Sequence, residues 1–345
     1  MNVYRLLKLA TGKSVPLWAK LLGLWGFHLG GRRHIGVFLD PVLACNLRCR
    51  MCLFSDAGAR AKMKGVISPE RFELVRKAFF KRAVKLQIGC AAEPTLYPRL
   101  AEIVKAGRAD GVPYISLITN GQLIASGRVS LRELVTSGLD EITVSLHGTR
   151  AETYEYLMPG GRFDNFVELL RQIRDVKKDY PGFKTRVNFT VNSMNVDDLR
   201  ENRFFDIWPE GLLPDIVQLR PVQQLGECEW DDFDPAPLEA AFDATIGNVA
   251  SICRRLGITV LAPDKSQLYE VATEQDGGSA IIENINYCYV SAASAYRDDF
   301  VLGEEDYDGY YRRTHVSRRL LRAVFNPGSF SRRRHISKKL NYRVK

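Results

Sequence analysis

Short runs of branched apolar residues alternate with amphipathic stretches between His34 and Leu261. Short apolar runs are typical of buried strands, and apolar positions repeating every three or four residues are typical of helices. The alternation therefore predicts repeated βα units around a parallel sheet. Six runs are predicted to be strands: Ile35 to Leu39, Ala83 to Ile88, Tyr114 to Ile118, Glu141 to Leu146, Thr185 to Val191 and Ile216 to Leu219.

The intervals between these runs are long enough for helices. One helix is predicted over Pro69 to Lys81, because Ser68 is a good N-cap and Glu70 opens the first turn. A further apolar run, Ile258 to Leu261, predicts an additional strand. Since six βα units are too few to close an eight-stranded barrel, we expect an α/β fold, a partial (βα)6 TIM-like barrel. Its ligands would bind at the carboxyl ends of the strands.

The pattern divides the chain of 345 residues into three parts. Residues 1–33 are predicted to be an amphipathic segment, and residues 34–262 the partial barrel. Residues 263–345 are predicted to be a C-terminal cap over the barrel mouth and a basic tail.

The first part is apolar from Val3 to Phe27, but charged residues and Pro16 interrupt it, so no run reaches the length of a membrane span. We expect a helix packed on the domain, and the alternative is a segment that lies on a bilayer surface. The seven cysteines are an odd set, and we see no cleavable secretory signal, which favours a reducing compartment. The predicted location is cytoplasmic, with peripheral membrane contact as the alternative.

The net charge of +9 is concentrated at one end of the chain. Residues 312–345 contain twelve Lys or Arg and no Asp or Glu, which leaves the preceding residues at a net −3. Such a run is either a solvated arm or the binding site of an anionic partner, such as nucleic acid, lipid headgroups or an acidic peptide.

Three cysteines follow the first predicted strand within eight residues: Cys45, Cys49 and Cys52. One loop with three thiolates can hold a cluster of four irons and leave one iron open to a further ligand, such as the amino and carboxylate groups of a methionine moiety. A structural zinc site needs four ligands, and the next cysteine, Cys90, lies at the end of another strand. The spacing therefore favours an iron–sulfur cluster, with a zinc site as the alternative.

This cysteine spacing resembles the signature of the radical S-adenosylmethionine (SAM) superfamily, and the resemblance extends through most of the first 225 residues. It implies one 4Fe-4S cluster, bound SAM, an electron donor such as flavodoxin or ferredoxin, and a substrate that the sequence does not identify. The closest likeness is to the maturase and peptide-modifying branch. The later cysteines, Cys228, Cys253 and Cys288, do not have the spacing of an auxiliary cluster, and two of them are expected to be buried thiols.

The resemblance also implies a set of SAM contacts. Met51 stands where the family commonly has an aromatic residue that contacts the adenine, and the segment Gly89 to Pro94 looks like the Gly-Gly-Glu-Pro segment that binds the SAM amino group. Polar residues at later strand ends correspond to ribose and carboxylate contacts. The predicted SAM-binding residues are Met51, Ala91, Ala92, Glu93, Thr119, Asn120, Ser145 and Asn188.

The resemblance thus implies an enzyme that cleaves SAM reductively to a 5′-deoxyadenosyl radical, which abstracts hydrogen from a peptide, a protein or a small metabolite. No catalytic residue is assigned, since His147 is more often a structural group at such a position. The alternative hypothesis is a non-enzymatic iron–sulfur or zinc-binding adaptor that docks to nucleic acid or membrane through its basic tail.

Overall fold

The computed structural model describes residues 15–224, 227–268, 285–326 and 343–344. Its strands form one sheet in the order β8-β1-β2-β3-β4-β5-β6-β7-β9. Every neighbouring pair is parallel except β7 and β9, which are antiparallel. The strands are β1 Ile35–Asp40, β2 Ala83–Ile88, β3 Ile115–Thr119, β4 Glu141–Leu146, β5 Lys184–Val191, β6 Ile216–Pro221, β7 Thr259–Ala262, β8 Tyr287–Ser291 and β9 Arg343–Val344.

Helices connect the parallel strands. In chain order they are α1 Leu17–Leu29, α2 Ala57–Lys62, α3 Pro69–Phe79, α4 Leu100–Ala109, α5 Gln122–Ala125, α6 Leu131–Thr136, α7 Ala151–Leu157, α8 Phe163–Asp179, α9 Val196–Arg200, α10 Arg203–Asp206, α11 Ala236–Ala240, α12 Asn248–Arg255, α13 Tyr307–Arg313 and α14 Val316–Phe325. Single turns of 3-10 helix cover Phe80–Arg82, Pro94–Leu96 and Lys265–Gln267, and a π-helical turn covers Asp243–Gly247.

The six predicted strands are confirmed, and the additional strand predicted over Ile258 to Leu261 is present as β7. These strands establish the α/β fold and the TIM-like arrangement of a partial barrel. Strand β8 was not predicted. Its five residues become a strand because they pair in parallel with β1, from Gly36 opposite Tyr287 to Asp40 opposite Ser291. Such a pairing, between segments about 250 residues apart, has no local signal in the sequence.

The predicted helix after Ser68 is also present, and the Ser68 hydroxyl accepts a hydrogen bond from the backbone N–H of Arg71 at 3.2 Å. The α-helix ends at Phe79 rather than Lys81, because the chain tightens into a 3-10 turn before β2.

The two faces of the sheet differ in polarity. Successive side chains of a strand point to opposite faces, and one face is fully buried and apolar: it includes Val37, Leu39, Leu86, Ile88, Leu117, Val144, Val187, Phe189 and Leu219. Helix residues join these side chains in one core, among them Val75, Ile103, Leu169 and Ile173. The other face, on the concave side of the sheet, has half-buried polar side chains: Lys85, Gln87, Ser145, Asn188, Thr190 and Arg220. The inside of the partial barrel is therefore polar and reachable by water.

The described part of residues 263–345 joins the sheet and packs at the amino-terminal ends of the strands. Strand β8 joins the sheet, and α13 lies at the amino-terminal ends of the strands, where Tyr307 is hydrogen-bonded to His34 at 3.1 Å and Asp308 accepts from Arg82 at 2.9 Å. Helix α14 packs against α1 and buries Leu320. The first part of the predicted basic tail is therefore a packed helix, whereas residues 327–342 and 345 lie outside the described residues.

Helix α1 occupies the predicted amphipathic segment and packs on the domain, with Leu21 fully buried and Leu24 almost so. Residues 1–14 of that segment lie outside the described residues. Within the described ranges, no helix is both long enough and apolar enough to cross a membrane.

Candidate cluster and SAM site

The three clustered cysteines lie in the loop that follows β1, at the carboxyl-terminal edge of the sheet. Two backbone hydrogen bonds attach this loop to the end of α7, from Arg48 N–H to the Pro159 carbonyl at 2.9 Å and from Arg50 N–H to the Leu157 carbonyl at 3.1 Å. Leu47 is fully buried in the core. The loop therefore has a fixed position relative to the strands, as a cluster site requires.

All three cysteines are free thiols and are partly buried. Burial raises the pKa of Cys45 to about 12, and it raises the pKa of Cys49 well above its ordinary value, with a further increase from the neighbouring Cys52 and Cys45. The pKa of Cys52 is raised by burial as well. A bound metal would lower the pKa of these thiols instead, because coordination deprotonates a thiol outright.

The donor set fits an iron–sulfur cluster. Soft thiolates are the usual ligands of such clusters, and each thiolate binds a different iron. Among the described residues, no three His, Cys, Asp or Glu side chains converge as the ligands of one metal ion. Ligands of a cluster need no such convergence, since the irons themselves are separated.

Glu93 lies at the centre of a buried hydrogen-bond network next to the cysteine loop. Its side chain is 3% exposed, and its two carboxylate oxygens accept from the Thr95 N–H and hydroxyl, from the Thr119 hydroxyl at 2.7 Å and from the Asn120 N–H at 2.8 Å. Its own N–H donates to the carbonyl of Ala44 at 2.9 Å. Burial raises the pKa of Glu93, and the hydrogen bonds to its carboxylate oppose that rise.

Asn120 connects this network to the cysteines. Its side-chain amide donates to Asn46 Oδ1 at 2.9 Å and lies 3.9 Å from Cys45 Sγ. Three of the predicted SAM-binding residues, Glu93, Thr119 and Asn120, are thus brought together against the cluster loop.

Ser145 and Asn188 occupy neighbouring strands in direct register and point to the concave face. The next strand continues the row, since Asn188 lies opposite Gln218. Asn188 Oδ1 and Gln218 Nε2 are buried without a hydrogen-bond partner in the part of the chain that the structure describes. A buried polar atom without a partner is uncommon in proteins and is typical of a site that receives a ligand or water.

Met51 lies over the carboxyl end of β5. Its sulfur is 3.2 Å from the side-chain amide of Asn192, which directly follows that strand. Asn192 is held in turn by Asn195, whose Oδ1 accepts the Asn192 N–H at 2.8 Å. Asn192 and Asn195 were not among the predicted site residues, although both follow a predicted strand end.

Ala91 and Ala92 are half-buried in the loop after β2, and a residue that the sequence analysis missed holds this loop. The fully buried carboxylate of Asp40 accepts from the N–H of Cys90 at 2.7 Å and from that of Ala91 at 3.1 Å. The sequence offered one signal for this role of Asp40. Asp40 is the last residue of β1, and the predicted polar SAM contacts also lie near the ends of strands. Gly89 opens the same loop with a φ of +84°, and a Cβ there would lie 2.5 Å from the carbonyl oxygen of Ile118.

His147 is a structural group in this arrangement. It is 8% exposed, and its Nδ1 accepts from the N–H of Thr190 at 3.3 Å. Burial lowers the pKa of His147 to about 4, so the imidazole is neutral near pH 7.

The three later cysteines do not form a second cluster motif within the described residues. Cys253 and Cys288 are fully buried, as expected for packed thiols. Cys228 instead lies beside the cysteine loop, because Glu229 N–H donates to Ser55 at 2.9 Å and Trp230 N–H donates to the Arg50 carbonyl at 3.1 Å.

Residues 40–201 match the family model of the radical SAM superfamily. The chain is 31% identical over 157 residues to a probable GTP 3′,8-cyclase of Metallosphaera sedula, which is 45% of this chain and 46% of that relative. A probable GTP 3′,8-cyclase of Methanocaldococcus jannaschii is 27% identical over 199 residues, 56% of this chain and 61% of the relative. The chain spans about half the length of these curated relatives.

Solved structures are similar in fold. Streptococcus suis SuiB bound to S-adenosylmethionine has a TM-score of 0.55 and 14% identity, and the likeness covers 75% of this chain and 59% of that chain. SuiB bound to the precursor peptide SuiA has a TM-score of 0.54 and 14% identity. This likeness covers 79% of this chain and 61% of that chain. At such identities the likeness concerns the fold alone.

Proposed function

We propose that this chain, whose residues 40–201 match the family model of the radical SAM superfamily, cleaves SAM reductively with a 4Fe-4S cluster held by Cys45, Cys49 and Cys52. When bound, the two cofactors would supply a 5′-deoxyadenosyl radical for hydrogen abstraction from the substrate. The electron would come from a small redox protein such as flavodoxin or ferredoxin.

One observation carries the proposal. The amide of Asn120 lies 3.9 Å from Cys45 Sγ, and the backbone of the same residue donates to Glu93 at 2.8 Å. A residue of the predicted SAM site therefore lies against a predicted cluster ligand. A SAM molecule on the open iron would reach both at once.

Within this site the residues have distinct proposed roles. Glu93 holds the loop after β2 and the end of β3 in one position, and it offers negative charge near the SAM ammonium. Ser145 and Asn188 line the concave face in register, where they would bind the ribose and carboxylate of SAM. Met51 would pack against the adenine above the end of β5.

The polar inside of the barrel is the proposed place of the substrate. Gln218 and Ser116 are each 1% exposed, and each has a buried polar atom without a partner within the described ranges. Lys85 and Gln87 lie on the same face of the sheet and are hydrogen-bonded to each other at 2.9 Å. This lining supports a substrate that presents a polar group to the barrel, either a small metabolite or a side chain of a peptide or protein.

The test is anaerobic reconstitution followed by counting of iron and sulfide, and then incubation with SAM and dithionite. We expect about four irons per chain and formation of 5′-deoxyadenosine. Cys253→Ala is the matched control, since it changes a buried thiol outside the site. A reconstituted cluster that yields no 5′-deoxyadenosine would instead support the non-enzymatic adaptor.

A further inference from the structure

Helix α1 carries a row of exposed apolar side chains. Trp18 is 54% exposed, Leu22 40% and Leu29 58%, and their spacing of four and seven residues puts them on one side of the helix. The buried side of α1 is a different one, formed by Leu21 and Leu24. The exposed row is therefore additional to the apolar face that attaches α1 to the domain.

Helix α14 packs against α1 and has the same feature. Phe325 is 84% exposed and Leu321 is 39% exposed, and the two lie one turn apart. Leu320 and Ala323 are fully buried on the other side. We refer to Trp18, Leu22, Leu29, Leu321 and Phe325 as the α1–α14 surface.

The charged residues of the two helices have one sign. Neither α1 nor α14 contains Asp or Glu, whereas the two helices contain four cations: Lys20, Arg318, Arg319 and Arg322. Arg318 and Arg322 are exposed. The chain then continues beyond Asn326 with seven more Lys or Arg and no acidic residue. The cations of the two helices make the surface complementary to a polyanionic plane.

We propose that the α1–α14 surface docks the protein on an anionic lipid bilayer. Exposed Trp, Leu and Phe bordered by Arg are typical of elements that lie in the membrane interface, where the apolar side chains enter the boundary of the acyl chains and the cations contact headgroup phosphates. Nucleic acid offers the cations a similar surface, but it gives no apolar medium to Leu321 and Phe325.

The location of the surface fits this role. Helix α13, which leads into α14, contacts His34 and Arg82, the residues that precede β1 and β2. The cysteine loop is at the opposite, carboxyl-terminal ends of the strands. A protein docked through the α1–α14 surface would keep the barrel mouth away from the bilayer and accessible from the aqueous phase.

The experiment measures cosedimentation of the full-length protein with vesicles of phosphatidylcholine and with vesicles of 70% phosphatidylcholine and 30% phosphatidylglycerol. We expect binding to the anionic vesicles that weakens as salt rises, because ion screening reduces the contribution of the cations. Replacing both Leu321 and Phe325 by Ser should weaken that binding on the order of tenfold or more, since two apolar side chains no longer enter the interface. Arg318→Gln with Arg322→Gln should weaken binding and flatten its salt dependence.

Leu256→Ser is the matched control, because Leu256, directly after α12, is 50% exposed and does not belong to the surface. Its vesicle binding should equal that of the unchanged protein, and melting temperatures verify that all variants fold. Equal vesicle binding by the Leu321→Ser, Phe325→Ser variant would overturn the proposal, since the cations alone would then account for adsorption. Loss of a dimer in that variant, without vesicle binding by the parent, would also overturn it and identify a second copy of the chain as the occupant.

Discussion

The carboxylate of Asp40 accepts a hydrogen bond from the hydroxyl of Tyr289 at 2.8 Å. This hydrogen bond joins the end of β1 to β8 inside the barrel. Asp40 accepts from the N–H groups of Cys90 and Ala91 at the same time. Burial raises the pKa of Asp40, and the three donors oppose that rise by stabilising the charged form. A strand from the C-terminal part of the chain thereby supports the loop that is predicted to bind the SAM amino group.

Asp40→Asn should weaken SAM binding while the cluster is retained. The amide replaces one acceptor oxygen by a donor, which leaves a loop N–H or the Tyr289 hydroxyl unpaired at a cost of about 1 to 3 kcal/mol. Tyr289→Phe removes only one neutral donor and should have a smaller effect. Equilibrium binding of SAM to the reconstituted protein measures both, with the iron content as the control. Equal SAM affinity in all three proteins would show that Asp40 supports the fold without supporting the site.

Replacement of Cys45, Cys49 and Cys52 together by Ala should abolish iron binding. Replacement of Cys228, Cys253 and Cys288 together should leave about four irons per chain, because these cysteines are not predicted ligands. Iron and sulfide analysis after anaerobic reconstitution tests both expectations. An iron content near eight in the unchanged protein would contradict a single cluster and assign a second one to the later cysteines.

Glu93→Gln should lower both the free energy of unfolding and the affinity for SAM. The substituted amide turns one acceptor into a donor that faces the Asn120 N–H or the hydroxyls of Thr95 and Thr119, and we expect a loss of about 1 to 3 kcal/mol in stability. The cluster should remain, since no iron ligand is removed. Urea unfolding and SAM titration measure the two effects, and Glu102→Gln is the control because Glu102 is 58% exposed in its side chain. A variant with normal stability and normal SAM affinity would exclude both roles of Glu93.

The free energy of unfolding should fall as the pH drops below about 6.5. Burial lowers the pKa of His34 to about 4, whereas the unfolded chain takes up this proton near the ordinary value of 6.5. The contribution of neutral His34 is therefore complete above pH 6.5 and is lost between pH 6.5 and 4, by up to about 3 kcal/mol. Urea unfolding at several pH values should show a shallower dependence for His34→Gln than for the parent. His315→Asn is the control, because His315 is exposed. An equally shallow pH dependence of the free energy of unfolding in that variant would argue against His34 as the source of the dependence.

Much of the barrel could be predicted from local sequence patterns, whereas the SAM-binding residues were predicted from the resemblance to the radical SAM superfamily. Short runs rich in branched apolar residues indicate strands that bury at least one face, and the six predicted strands are present. The predicted polar residues lie in or shortly after the carboxyl-terminal halves of those strands, which end at one edge of the sheet. The resemblance implied that Glu93, Thr119 and Asn120 contact one ligand, and the structure brings these three residues together.

Other features depended on contacts between distant segments. Strand β8 exists through its pairing with β1, and Asp40 became part of the site only when Tyr289 and the loop after β2 were brought beside it. The basic character of α14 suggested an arm, but burial of Leu320 makes it a packed helix whose remaining apolar side chains are exposed.

The strand segments of the barrel body and the cysteine loop were predictable from the sequence, because both depend on residue spacing along the chain. The tertiary structure alone decided which carboxylates are buried, which polar atoms of the concave face have no partner, and which side of α1 and α14 faces outward. These properties depend on solvent exclusion and on pairing between segments that are far apart in the chain, and neither is specified by local residue types.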